Sequence, residues 1–217
     1  MLVKDYMTRH PLMVEPDMSI VDAQCYMGQN NVRHLPVVGD GKRLLGLVTR
    51  QRFLIDPHTL ASLDVWEIAR ALSGYTVKDV MIKARDVVTV DPDLTLEEAA
   101  HRMVDKKIGC LPVVEDGVVV GMLSEVDLLA HLAEMMGSRW RGVRVTVRMP
   151  DQKGEFAKMV AAISARGWGI TAMGGVPTPK DPTSWDAVVK IRFVSTGEVV
   201  AALQTVEGHQ IVDVRET

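Results

Sequence analysis

The sequence predicts a mixed α/β (α+β) protein in which two repeats pack as a pseudo-twofold pair and a βαββαβ domain follows them. Two observations support this fold class. One pattern of residues occurs twice: Pro36 corresponds to Pro112 at a spacing of 76 positions, and Thr49 corresponds to Ser124 at a spacing of 75. After residue 142 this pattern gives way to alternating strands and two amphipathic helices. An internal repeat indicates an architecture before any motif is assigned a function.

The composition argues against several classes of protein. Of the 217 residues, 47% are hydrophobic and 24% are charged, which is typical of soluble globular domains. The net charge of −3 argues against a nucleic-acid binder that relies on overall positive charge. We find no apolar run of membrane-spanning length and no signal-peptide pattern, and we expect a cytoplasmic protein. Cys25, Cys110 and the six histidines lack metal-binding spacing, so we expect no metal and two reduced thiols.

Each repeat is predicted to contain a strand, a helix, two strands and a second helix. Both begin with V-K-D-x-M, at residues 3–7 and 77–81. Ser19 and Thr95 are placed to cap the first helix of each repeat, with an acidic residue three positions later. An apolar L-P-V-V strand follows in both repeats, then turn residues, and then a strand rich in aliphatic residues.

These patterns predict two domains, residues 1–76 and residues 77–137. Residues 55–76 would form a connecting helix, because their apolar side chains share one helical face. One repeat alone is too small to bury its sheet well, which favours packing of the two repeats against each other.

The third predicted domain covers residues 142–217. Apolar residues alternate with polar ones from Val143 to Met149, which predicts a half-buried strand. A helix follows to Gly167, then a strand from Ile170, a proline-rich turn, another strand, a helix capped by Ser195 and a last strand. The order βαββαβ is that of the split ferredoxin-like fold.

The repeated motifs resemble a tandem pair of CBS domains over about residues 1–135. The matching motifs are V-K-D-x-M, P-D-x-[ST], L-P-V-V and G-x-x-[ST], each present twice and in the same order. CBS pairs are regulatory modules. The resemblance therefore implies that an adenosine-containing ligand, AMP, ADP, ATP or S-adenosylmethionine, binds in the cleft between the repeats.

Residues 142–215 resemble an ACT domain, through P-D-x-x-G after the first strand and G-I-T-A at the second. ACT domains bind amino acids near this glycine-containing loop, at interfaces between paired copies, which makes Asp151 and Gly154 candidates for a second ligand site. A CBS pair followed by an ACT domain resembles the acetoin-utilisation (AcuB) family. That resemblance implies a cytoplasmic regulatory protein linked to carbon metabolism.

The CBS resemblance also implies which residues bind the nucleotide. The hydroxyl of the last motif helps to bind phosphate, the aspartate three residues later binds the ribose hydroxyls, and the residues before L-P-V-V line the base. The candidate residues are Ser124, Asp127, Ile108, Gly109, Thr49, Val32 and Arg33. In the first repeat Arg52 replaces the aspartate.

Two of these assignments have alternatives. Ser124 and Asp127 also have the spacing of a helix capping box, which needs no ligand. Arg52 is either a solvated helix residue or a phosphate clamp, since a guanidinium group suits phosphate geometry.

No catalytic constellation is recognisable: the sequence has no G-x-S-x-G and no Walker-type phosphate loop. We therefore expect a ligand-sensing regulatory protein, not an enzyme, that forms a homodimer and whose ACT domain binds a second small molecule or mediates dimerisation. Two alternatives remain open, an enzyme of acetoin metabolism and a structural dimerisation module without a ligand.

Overall fold

The structure is a computed structural model that describes residues 1–53, 74–179 and 181–217. The predicted connecting helix lies outside the described residues, apart from its last three positions. The chain divides into two compact units, Met1–Leu128 and Leu129–Thr217.

In its described residues, the N-terminal unit contains two three-stranded antiparallel sheets. The same residues include three short 3₁₀ helices, Asp40–Lys42, Arg50–Phe53 and Ala84–Asp86. Its strands are β1 Thr8–Arg9, β2 His34–Val38, β3 Leu44–Thr49, β4 Ile82–Lys83, β5 Cys110–Glu115 and β6 Val118–Ser124. Its helices are α1 Val3–Tyr6, α2 Ile20–Gln29, α3 Val77–Val80, α4 Leu96–Lys106 and α5 Glu125–Met135, and the division between the units falls within α5.

The two repeats exchange their opening segments. Strand β1 of the first repeat pairs with β6 of the second, and β4 of the second repeat pairs with β3 of the first. Val3 accordingly lies in the core of the second repeat, and Val77 lies in the core of the first. Equivalent ion pairs hold both segments, Lys4 to Asp93 and Lys78 to Asp17. The sequence pattern placed each opening segment in its own repeat, because a motif spacing does not say which sheet a strand joins.

Two equivalent glycines make this exchange sterically feasible. A Cβ atom on Gly46 would clash with the backbone carbonyl oxygen of Ile82, and a Cβ atom on Gly121 would clash with the side chain of Met7. At both glycines the incoming segment therefore lies so close to the strand that a side chain would force a neighbour to move.

The predicted helix caps are present. Ser19 Oγ accepts a hydrogen bond from the backbone N–H of Asp22 at 3.0 Å, and Thr95 Oγ1 accepts one from that of Glu98 at 3.2 Å. The turn before β6 also has the expected backbone, with φ of 49° at Asp116 and 81° at Gly117. These local features were predictable because each depends on residues close together in sequence.

The C-terminal unit has the predicted βαββαβ order. Its elements are β7 Val143–Pro150, α6 Glu155–Ser164, β8 Ile170–Pro177, β9 Ser184–Ile191, α7 Thr196–Leu203 and β10 Gln210–Glu216. The four strands form one antiparallel sheet in the order β10-β7-β9-β8, which is the split ferredoxin-like arrangement. Every second residue of β7 is fully buried against the two helices.

Candidate functional site

A cleft of about 860 Å³ lies between the two repeats of the N-terminal unit. Both repeats contribute to it. The first supplies the start of β2 and the end of β3 with the following 3₁₀ turn, and the second supplies residues 86–88, residues 107–110 and the first residue of α5. The volume falls within the range of about 300–1,000 Å³ that is usual for small-molecule sites.

The cleft brings together four of the seven nucleotide-binding residues proposed from the sequence. Thr49, Arg33, Ile108 and Gly109 all line it. The other three, Val32, Ser124 and Asp127, belong to the described part of the chain but do not line this cleft.

Ser124 and Asp127 form a helix cap at the start of α5. Asp127 Oδ2 accepts hydrogen bonds from the backbone N–H of Ser124 at 2.8 Å and from its hydroxyl at 2.7 Å. In return, Ser124 Oγ accepts the backbone N–H of Asp127 at 3.3 Å. The capping alternative is therefore present in the structure, and it satisfies backbone donors that the helix itself leaves free.

Cationic residues dominate the charge of the cleft. Arg50 and Arg52 line it from the turn after β3, and Lys107 lines it from the end of α4. Of these three residues, only Arg52 was a candidate from the sequence. The signal for the other two was available, since Arg50 follows the repeat motif directly and Lys107 precedes the Ile108-Gly109 pair.

Arg33 and Glu125 form an ion pair across the cleft, with Arg33 Nη2 2.8 Å from Glu125 Oε1. Both side chains are about half exposed, at 53% and 49%. The pair joins the residue before β2 of the first repeat to α5 of the second, and an exposed pair of this kind contributes little to stability by itself. Its position leaves the guanidinium group accessible to a ligand.

Two further cleft residues are uncharged at neutral pH. Burial, with a smaller contribution from the positive charge of Arg33, holds the pKa of His34 below its ordinary value of 6.5. Burial raises the pKa of the Cys110 thiol to about 12. A buried thiol in its protonated form is a poor nucleophile, so Cys110 acts as a core residue.

The proposed ACT ligand loop begins where β7 ends. The backbone N–H of Asp151 donates to Thr183 O at 2.9 Å, and Gly154 caps α6 with a φ of 92° that favours glycine. The next residue, Glu155, is buried and bonds both Lys158 Nζ at 2.7 Å and His209 Nε2 at 2.9 Å. This cluster was not predicted from the sequence, because His209 is distant in sequence and reaches Glu155 only through the fold.

Among residues 1–53, 74–179 and 181–217, no group of three or more His, Cys, Asp and Glu side chains is placed to hold a metal ion. Within the same described ranges, no helix is long and apolar enough to cross a membrane.

Comparison with known proteins identifies the repeats. A family model for the CBS domain matches residues 3–55 and again residues 77–134. A candidate acetoin utilization protein (AcuB) from Vibrio cholerae is structurally similar, with a TM-score of 0.53 and 32% identity over 64% of this chain and 95% of that one. CBSX2 from Arabidopsis thaliana, solved in complex with AMP, has a TM-score of 0.52 and 26% identity over 61% of this chain and 97% of that one.

Curated relatives are matched over a shorter part of their length. Homoserine O-acetyltransferase of Methanohalobium evestigatum is 32% identical over 135 residues, which are 61% of this chain and 24% of that protein. L-aspartate semialdehyde sulfurtransferase of Methanocaldococcus jannaschii is 29% identical over 130 residues, 22% of its length. The chain thus spans about a quarter of the length of these two enzymes.

Proposed function

The chain belongs to the CBS-domain family, and from this we propose that it is a regulatory protein that senses an adenosine nucleotide in the cleft between its repeats. The observation that carries the proposal is the cleft itself, which both repeats build and which contains Thr49, Arg33, Ile108 and Gly109. The AMP complex of CBSX2 supports the choice of ligand class. Ser124, Asp127 and Val32 remain candidates for the pseudo-equivalent position on the other side of the pair.

Sensing requires that the ligand bind one arrangement of the repeats better than another. The Arg33–Glu125 ion pair supports this part of the proposal, because it connects the repeats at the cleft and one of its partners is the first residue of α5. A ligand that engages Arg33 would change the contact between the repeats.

For the C-terminal unit we propose an ACT-like domain that binds a second small molecule, with Asp151 and Gly154 at its loop, or that mediates dimerisation. The strand order β10-β7-β9-β8 and the glycine at the start of α6 support this assignment. The similarity to the Vibrio cholerae protein supports a role in acetoin or related carbon metabolism.

We further propose a cytoplasmic homodimer. Four apolar side chains of α5 are at least half exposed, namely Val126, Leu129, Leu132 and Met135. Consecutive members lie three residues apart and therefore adjoin on the helix surface, and we call this exposed set the α5 stripe. The enzymatic alternative has no comparable support, since the match to the acetyltransferase covers about a quarter of that enzyme.

A thermal-shift panel of adenosine, AMP, ADP, ATP and S-adenosylmethionine tests the proposal, because a ligand that binds only the folded state raises the melting temperature. Gly109→Phe places a ring in the cleft, where a Cβ atom would already meet the Glu125 carboxylate. Gly28→Phe is the matched control, since a Cβ atom on Gly28 meets nothing within 4 Å.

We expect at least one adenine nucleotide to raise the melting temperature of the parent and of Gly28→Phe but not of Gly109→Phe. The ligand should be recovered unchanged by chromatography. A panel without any shift would refute nucleotide sensing, and consumption of the ligand would favour the enzyme alternative.

A further inference from the structure

The two repeats carry opposite charges at equivalent positions beside the cleft. Thr49 and Ser124 are equivalent in the fold, since each ends a strand and pairs with the first residue of the preceding one. After Ser124 the second repeat has the acidic residues Glu125 and Asp127. The first repeat has arginines at both corresponding positions, Arg50 and Arg52, and both line the cleft. Both arginines line the cleft, whereas of the two acidic residues only Glu125 does.

Lys107 adds a third positive charge in an unfavourable backbone conformation. It follows α4 with a φ of 54°, in the left-handed region. The equivalent residue after α2 is Asn31, with a φ of 53°. Asparagine tolerates this region better than most residues, and lysine has no such advantage. The second repeat thus carries a long cationic side chain where the backbone favours a small one, and that side chain lines the cleft.

The acidic residues of the cleft do not neutralise these three cations. Glu125 is paired with Arg33, and Asp86 lies 3.4 Å from the side chain of its neighbour Arg85. Within the described ranges, Arg50, Arg52 and Lys107 form no salt bridge. A ligand in the cleft therefore meets an excess of positive charge.

We infer that the cleft selects its ligand by phosphate charge and prefers a nucleoside triphosphate or diphosphate to a monophosphate, to an uncharged nucleoside or to the cationic S-adenosylmethionine. The inference rests on the proposed nucleotide site and specifies its ligand class. Guanidinium groups bind phosphate oxygens with paired, charge-assisted hydrogen bonds, and an ammonium group adds a point charge. Each further phosphate gives these groups another partner.

The experiment is a calorimetric titration of adenosine, AMP, ADP and ATP in magnesium-free buffer, with S-adenosylmethionine as the cationic comparison. We expect affinity to rise along this series, with ATP about tenfold or more tighter than AMP, and the preference to narrow as salt is added, because salt screens partly exposed charges.

Three single variants, Arg50→Gln, Arg52→Gln and Lys107→Gln, assign the preference to the cleft. Each should weaken ATP binding more than AMP binding and so reduce the ratio between the two. Lys106→Gln is the matched control, since it removes an exposed lysine next to Lys107 that does not line the cleft. This control should retain the parental ratio.

The outcomes distinguish a failure of the inference from a failure of the proposed function. Equal affinities for adenosine, AMP and ATP would overturn charge selection and leave nucleotide sensing intact. No binding of any adenine compound would overturn both. A parental ATP-to-AMP ratio in all three cleft variants would show that the preference arises elsewhere and would also refute the inference.

Discussion

Asp127 uses a single carboxylate oxygen for the cap of α5, since Oδ2 accepts both bonds from Ser124. Its spacing from Ser124 predicted both a cap and a nucleotide contact, because the same two residues suit either role. The structure shows the cap, and Thr49, not Ser124, lines the cleft between the repeats. At the scale of a residue, the sequence therefore predicts what a side chain can do, and the fold shows which cleft it lines.

Asp127→Asn tests the cap. We expect it to lower the free energy of unfolding by about 1 kcal/mol, since a neutral amide is a weaker partner for the two donors of Ser124. Nucleotide affinity at the cleft should change less than twofold, because Asp127 does not line it. Chemical denaturation and calorimetry on the same sample measure both quantities. A tenfold loss of affinity would instead make Asp127 a ligand contact of the cleft.

At the scale of an element, the exchanged segments and their glycines define the N-terminal unit. Gly46 and Gly121 both fit under an incoming segment, but their neighbours differ. Gly46 lies against a backbone carbonyl, whereas Gly121 lies against the flexible side chain of Met7. A side chain can move aside at lower cost than a backbone can.

Gly46→Ala should therefore be more destabilising than Gly121→Ala. Overpacking typically costs about 1–3 kcal/mol, and we place Gly46→Ala at or above the upper end and Gly121→Ala near the lower end. Gly28→Ala is a control that should be stabilising. Gly28 is an exposed helical residue with free space around it, so replacing it with alanine should raise the free energy of unfolding by about 0.5–1 kcal/mol. Urea denaturation measures the free energy of unfolding of the three variants. Equal decreases for Gly46→Ala and Gly121→Ala would contradict the steric argument.

Glu155 connects the start of α6 to His209, which lies just before β10. The hydrogen bond from Lys158, supported by that from His209, holds the pKa of the Glu155 carboxyl below its ordinary value of 4.5. A lowered folded-state pKa means that the ionised carboxylate stabilises the fold above the unfolded pKa. This contribution disappears as pH falls through the folded pKa.

We expect Glu155→Gln to melt below the parent at pH 7, and the difference to shrink as pH falls from about 5 towards 3. Melting curves at a series of pH values measure it. Glu97→Gln, an exposed residue in the first turn of α4, should show no such pH-dependent difference. A difference that is constant with pH would mean that Glu155 acts through packing and not through its charge.

Much of the fold could be predicted from the sequence. The repeat, the caps at Ser19 and Thr95 and the βαββαβ order each follow from local patterns or regular spacing. The exchange of opening segments could not be predicted, because two nearly identical repeats offer each segment two nearly identical partners. Arg50 and Lys107 lie next to motif positions in the sequence, but they are 57 positions apart, and only the fold shows that they line the same cleft.

At the scale of the whole molecule, the exposed apolar stripe of α5 predicts self-association. We expect a dimer by light scattering at micromolar concentration, with an interface above about 1,000 Å². Leu129→Glu should shift the protein towards a monomer, because a charge in the centre of an apolar contact is costly.

Val104→Glu is the control for dimerisation. Val104 is also an exposed apolar residue, at 72%, but it lies on α4 outside the stripe. This variant should remain dimeric. A parent protein that is monomeric at micromolar concentration would rule out the proposed assembly.

The exchanged segments also determine the order in which the chain can fold as it leaves the ribosome. Residues 1–9 are synthesised before the second repeat, yet β1 pairs with Gly121 and Met122 of β6. At about 5–20 residues per second, this opening segment waits on the order of ten seconds for its partner. The second repeat's opening segment, by contrast, meets an already synthesised β3 as soon as it emerges. The core of the first repeat can therefore close during synthesis, while β1 can pair only after β6 has been made.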